Sequence, residues 1–98
     1  MKRTVVVRYR VHEDAAEENQ RLVEQVYAEL AATDPGGLRY ATYRLADGVT
    51  FIHIATVDGE QNPLTSTAAF AKFQEGLDVR CAEPPAPSPA TVIGQYGG

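Results

Sequence analysis

His53 stands in the middle of an apolar run, Val49-Thr50-Phe51-Ile52-His53-Ile54-Ala55-Thr56-Val57. With an ordinary pKa near 6.5, an imidazole can take a proton from a phenol or an enol near neutral pH. His53 is therefore the candidate catalytic residue, as a general base. Tyr9, Tyr40, Phe51, Phe70 and Phe73 are the candidate substrate-pocket residues, with Tyr43 and Tyr96 as further aromatics that could wall a ring-shaped ligand. The same side chains suit an ordinary core. No carboxylate lies near His53 in sequence to orient it, so a buried histidine hydrogen-bonded to a neighbour is the other reading.

The remaining reactive residues carry less. His12 adjoins Glu13 and Asp14 and reads as a solvated loop residue. Arg39 and Arg44 could grip a carboxylate or phosphate bidentately, or form ion pairs at a rim. Cys81 is the one cysteine, which rules out an intrachain disulfide or a multi-thiolate metal site; it reads as a small structural thiol. No metal-ligand pattern and no cofactor motif is present. Gly36-Gly37 follows a helix where a phosphate loop would follow a strand. Ser66 and Ser88 fall in a cap and a proline-rich stretch, so no nucleophilic triad forms.

The whole chain, residues 1–98, is sized for a single domain. A net charge of −4 with scattered basic residues argues against nucleic acid, whose phosphates need clustered Lys and Arg. No apolar stretch nears the ~20 residues of a membrane span, and Arg8 and Arg10 interrupt the only apolar run near the N-terminus. No membrane association and a cytoplasmic location are the expectations.

The elements that must position His53 follow from periodicity. Residues 4–11 alternate and are rich in Val and Tyr, which predicts a strand. Asp14 and Glu17 have capping-box spacing ahead of a helix carrying Leu22, Val23, Val26, Tyr27 and Leu30. Asp34-Pro35-Gly36-Gly37 ends it. Residues 38–45 and 49–57 form an antiparallel hairpin about Ala46-Asp47-Gly48. Phe70, Phe73 and Leu77 mark a second helix from residue 63 to about 82, starting at Asn62-Pro63 or at Ser66, with Gly76 weakening its later half. The segment Glu83-Pro84-Pro85-Ala86-Pro87-Ser88-Pro89 reads as a stiff connection, and residues 90–96 as the last strand.

This βαββαβ order is ferredoxin-like α+β: a four-stranded antiparallel sheet with two helices on one face. Val5, Val7, Tyr9, Phe51, His53, Ala55, Val92 and Tyr96 are assigned to the helix side. Val6, Arg8, Ala41, Tyr43, Ile52, Ile54, Ile93 and Gln95 are assigned to the other. The apolar part of that open face amounts to roughly 500 Å², near the upper end of what a monomer exposes. Pairing with a second copy across a two-fold axis would bury it.

Four stretches carry a family resemblance: Val5-Val6-Val7-Arg8-Tyr9-Arg10-Val11, Tyr40-Ala41-Thr42-Tyr43-Arg44, Phe51-Ile52-His53-Ile54 and Ala69-Phe70-Ala71-Lys72-Phe73. Over nearly its full length the chain resembles the dimeric α+β barrel superfamily, most closely its antibiotic biosynthesis monooxygenase-like small domains. The resemblance implies a homodimer joined through the helix-free sheet face. It also implies a cofactor-independent monooxygenase, needing no metal or flavin, that acts on an aromatic or polyketide-like small molecule. Two departures stand against catalysis. Many members end the third strand with Glu and, two positions on, Trp, where this chain has Ala55 and Val57. Many begin the second helix with a His, which residues 62–67 lack, and with it goes the haem-degrading variant of the family. The alternative is a non-catalytic dimeric module that binds a small ligand or only assembles.

Overall fold

The computed structural model describes residues 2–97. Strand β1 (Lys2–Val11) leads through a 3-10 turn (Glu13–Ala15) into helix α1 (Ala16–Thr33). The hairpin strands β2 (Leu38–Arg44) and β3 (Thr50–Asp58) follow. After a second 3-10 turn (Pro63–Ser66) come two short helices, α2 (Ala68–Gln74) and α3 (Leu77–Arg80), and strand β4 (Cys81–Ala90). The sheet is antiparallel in the order β2-β3-β1-β4, as the ferredoxin-like arrangement requires.

Alternation decides the faces. Tyr9, Val11 and Phe51 are buried on the helix side, where Val23 and Val26 of α1 and Phe73 of α2 close over them, and Val57 is buried farther along the same face. The register Val6↔Ile54↔Ala41 and Arg8↔Ile52↔Tyr43 lays the other residues across the helix-free face. Val6, Ala41, Ile52 and Ile54 are half-buried there, and Tyr43 is exposed.

The last strand departs from expectation. The proline-rich stretch is itself β4, and residues 91–97 carry no regular structure, with Ile93 and Tyr96 fully exposed. Val92 and Tyr96 therefore do not join the helix-side face, nor Ile93 and Gln95 the open one. Proline lacks an N–H and is confined to sheet edges. Pro85, Pro87 and Pro89 are two apart, so their nitrogens all point to one side of the strand. With β4 at the edge that side is the outer one, and Ala86, Ser88 and Ala90 are left to donate toward β1. Pro84 falls where the pairing slips between Arg8 and Arg10. The prolines also leave the outer edge poor in donors, which protects it from further pairing.

Helix ends differ too. Asp14 lies in the 3-10 turn and makes no cap; α1 begins after Ala15 with no side-chain cap. Asn62 caps the short turn at Leu64 N, and Thr67, not Ser66, caps α2 through Phe70 N. Gly76, at φ +78°, breaks the second helix in two, because only glycine takes that conformation freely. Gly37 is fixed more tightly. It has φ +77°, and an added Cβ would stand 2.8 Å from the Asp58 carbonyl.

Candidate functional site

His53 is placed by the hairpin. Its register partners are Val7 on β1 and Thr42 on β2, with Tyr9 and Tyr40 one step along the same face on either side. Those diagonal neighbours reach the ring. Tyr9 Oη lies 2.8 Å from His53 Nε2, and Tyr40 Oη lies 2.5 Å from Nδ1. Thr42 Oγ1 stands 3.2 Å from Nδ1 and 2.8 Å from Tyr27 Oη on α1. On the far side, Asn19 Nδ2 donates to Tyr9 Oη at 2.9 Å, and Arg80 Nε donates to Asn19 Oδ1 at 3.1 Å. One chain of hydrogen bonds thus runs from α3 through α1, β1 and β3 to β2. Among the described residues no buried side-chain polar atom lacks a partner.

This array forms the inner wall of an apolar cavity of about 390 Å³. The cavity exists because Val5, Val7 and Ala55 are short where the helix-side face meets α2 and α3. Tyr9, Tyr40, His53, Phe70 and Phe73 line it, along with Leu64 and Leu77. The exposed Arg3, Gln74 and Pro87 stand at its rim, and Arg3 donates to the carbonyls of Gly59 and Glu60. Of the five expected pocket residues, four line this space. Phe51 does not: it is fully buried and stacks under Tyr9 at a centroid distance of 5.6 Å.

The other candidates lie elsewhere. His12 is exposed ahead of the first turn. Arg44 pairs with Glu17 at 3.0 Å and Gln20 at 2.7 Å, which ties β2 to α1. Arg39 and Tyr43 lie on the helix-free face and are exposed. Burial raises the pKa of the Cys81 thiol, so it is a poor nucleophile. Among the described residues no cluster of three or more His, Cys, Asp or Glu could hold a metal, and no helix is long and apolar enough to cross a membrane.

Sequence reading passed over Asn19 and Arg80, yet both sit on apolar helix stripes. Asn19 falls in register with Ala16, Val23 and Val26 on α1, and Arg80 stands three residues after Leu77 on α3. A polar residue on the core side of a stripe must find buried partners. That signal was available.

Burial sets the charge state of the site. It holds the Tyr9 and Tyr40 hydroxyls far above the ordinary phenol range and lowers His53 to about 4. All three are neutral at pH 7. The unfolded chain binds a proton on His53 below about pH 6.5, and the folded chain only below about 4. Protonation therefore favours unfolding across that window. The stabilisation is full above pH 6.5 and is lost as pH falls toward 4, by about 3 kcal/mol in all. Urea titrations of wild type and His53→Gln at about pH 7.5 and 4.5 should show the loss in the wild type and a much smaller one in the variant.

No protein-family model and no curated protein matches the chain by sequence. Several solved structures match it along nearly their whole length. A candidate antibiotic biosynthesis monooxygenase from Bacteroides thetaiotaomicron superposes with a TM-score of 0.82 at 15% identity, covering 99% of this chain and 96% of that one. One from Nitrosomonas europaea gives 0.77 at 17%, covering 98% and 94%. SnoaB, a cofactor-independent oxygenase from Streptomyces nogalater, gives 0.70 at 19%, covering 99% and 98%. With the sheet order, the helices on one face of the sheet and the cavity between sheet and helices, these likenesses show that this chain has the ferredoxin-like α+β fold of the antibiotic biosynthesis monooxygenase structures it superposes on.

Proposed function

We propose that the protein is a cofactor-independent monooxygenase that oxidises an aromatic, polyketide-like phenol and works as a homodimer paired through its helix-free sheet face. The observation that carries the reading is the Tyr9–His53–Tyr40 array on the wall of an apolar cavity large enough for a fused-ring ligand. The description of SnoaB as a cofactor-independent oxygenase supports it. The ring nitrogens of His53 do not meet the reacting hydroxyl of the ligand directly, since both already face tyrosine hydroxyls. It acts as a proton store behind them. The ligand hydroxyl gives its proton to a tyrosine oxygen while that tyrosine passes its own proton to the imidazole. The electron-rich ring then reduces dioxygen. One oxygen atom becomes a ring carbonyl and the other leaves as water, so a phenol and O₂ give a quinone and H₂O, a four-electron oxidation balanced by the four electrons O₂ takes up.

A base at about 4 selects its substrate. Taking a proton from a simple phenol, with a pKa near 10, would be uphill by about 8 kcal/mol. A hydroxyl acidified by conjugated ring carbonyls closes most of that gap. Oxygen uptake with a panel of such hydroxy-aromatics is the test. Uptake in the wild type should fall by at least about 100-fold in His53→Phe, with ligand binding kept within a few-fold. The capping of both imidazole nitrogens favours one other reading, a binding module in which His53 only orients the two hydroxyls. Tight binding across the panel with no oxygen consumed would establish that reading and overturn the first.

A further inference from the structure

Arg80 begins the hydrogen-bond chain, and its chemistry sets the chain's direction. A guanidinium can only donate. Its Nε–H donates to Asn19 Oδ1, so the Asn19 amide nitrogen must face Tyr9, where it donates to Oη at 2.9 Å. Tyr9 is 2% exposed and its hydroxyl has one hydrogen. Asn19 already donates to that oxygen. A buried hydroxyl hydrogen left without an acceptor is costly, so it goes to His53 Nε2 at 2.8 Å. A neutral imidazole that accepts at Nε2 carries its hydrogen on Nδ1. Nδ1 faces Tyr40 Oη and Thr42 Oγ1, and either can accept.

We infer that Arg80, acting through Asn19 and Tyr9, holds His53 as the Nδ1–H tautomer and is thereby a positioning residue for the site. Arg80 is itself locked, donating to Phe73 O at 2.6 Å and Glu75 O at 3.2 Å. The polarity makes the two wall tyrosines unequal. Tyr9 passes protons inward to Nε2, so a ligand hydroxyl loses its proton there. Tyr40 accepts from Nδ1–H and keeps its own hydrogen for Thr42 or for a ligand oxygen in the cavity. The ligand class this fits is an aromatic hydroxy-carbonyl compound, hydroxyl against Tyr9 and carbonyl against Tyr40. That ligand assignment rests on the proposed reaction; the tautomer does not.

Long-range proton–nitrogen NMR on the ligand-free, nitrogen-15-labelled protein near pH 7 reads the tautomer directly, and His12→Gln removes the only other histidine signal. The expected spectrum has a protonated Nδ1 and an unprotonated Nε2; a protonated Nε2 overturns the inference. Asn19→Asp keeps the shape but can only accept. The new carboxylate would take hydrogens from both Arg80 and Tyr9, Tyr9 would then accept from Nε2–H, and the tautomer should invert. A folded Asn19→Asp that keeps Nδ1–H also overturns the inference. Arg80→Lys, still a pure donor, should keep the wild-type tautomer, so the inference remains testable if Asn19→Asp does not fold. Ligand placement is tested apart from both the tautomer and oxygen uptake. A hydroxy-aromatic ketone should bind about tenfold more tightly than the same ring without its carbonyl. Equal affinities would overturn the placement and leave the tautomer standing.

Discussion

Arg80→Met is expected to lower the unfolding free energy by roughly 4 kcal/mol. The arginine is 8% exposed and makes three hydrogen bonds, to Asn19 Oδ1 and to the carbonyls of Phe73 and Glu75. Its cation also lies over the Phe73 ring at 5.4 Å. Methionine recovers the packing of the stem and none of the donors. The bonds to Asn19 and Phe73 are buried, so those two acceptors lose their partner away from water, at about 1–3 kcal/mol each. The Glu75 carbonyl, less deeply placed, can turn to solvent. A loss of that size is a large part of the 5–15 kcal/mol that holds a domain of this kind together. With a urea slope near 1.5 kcal/mol/M the midpoint should fall by about 2.5 M. Arg10→Met is the control. Arg10 pairs with Glu83 at 2.8 Å, but both side chains are about half exposed, and a pair in water contributes under about 1 kcal/mol. Equal effects from the two substitutions would show that the buried chain is not what holds α3 to the core.

The contrast between Arg80 and Arg10 also explains what could be read from the chain alone. Alternation in residues 4–11 and 49–57 settles β1 and β3 and the faces of Val6, Ile52, His53 and Ile54, because a shift by one residue would turn every apolar side chain to the wrong side. The hairpin follows from Ala46-Asp47-Gly48, where Asp47 accepts from the backbone N–H groups of Val49 and Thr50. The last strand was hidden by a sound rule applied in the wrong place. Prolines argue against a central strand, but at spacing two on an edge they do no harm. Residues 90–96 have the better composition, yet both sides of β1 are taken, by β3 and by Cys81–Ala90. At the site, residue types pointed to His53 and its aromatic neighbours. The two tyrosine hydroxyls that cap its ring could not be read, since they depend on which diagonal neighbour reaches across the sheet. Phe51 shows the converse: it shares the face of His53, but Tyr9 covers it.

Ile54→Asp is expected to turn a dimer into a folded monomer. Ile54 lies in the row Val6–Ile54–Ala41 on the helix-free face, on one of the two central strands. In one protomer it is half-buried and borders solvent, so a carboxylate there stays hydrated and the sheet, whose core is on the other side, keeps its packing. In the proposed dimer the same position faces the partner sheet. Two-fold symmetry then buries two carboxylates against apolar surface, at several kcal/mol each. A penalty counted twice is enough to dissociate a micromolar or even nanomolar dimer, since each 1.4 kcal/mol changes the constant tenfold. Sedimentation velocity at micromolar concentration should show a dimer for the wild type and a monomer for Ile54→Asp, with circular dichroism unchanged. Arg8→Ala, on an exposed side chain of the same face, should leave the dimer in place. A wild-type monomer, or an Ile54→Asp dimer with native spectra, would mean that this face is not the interface.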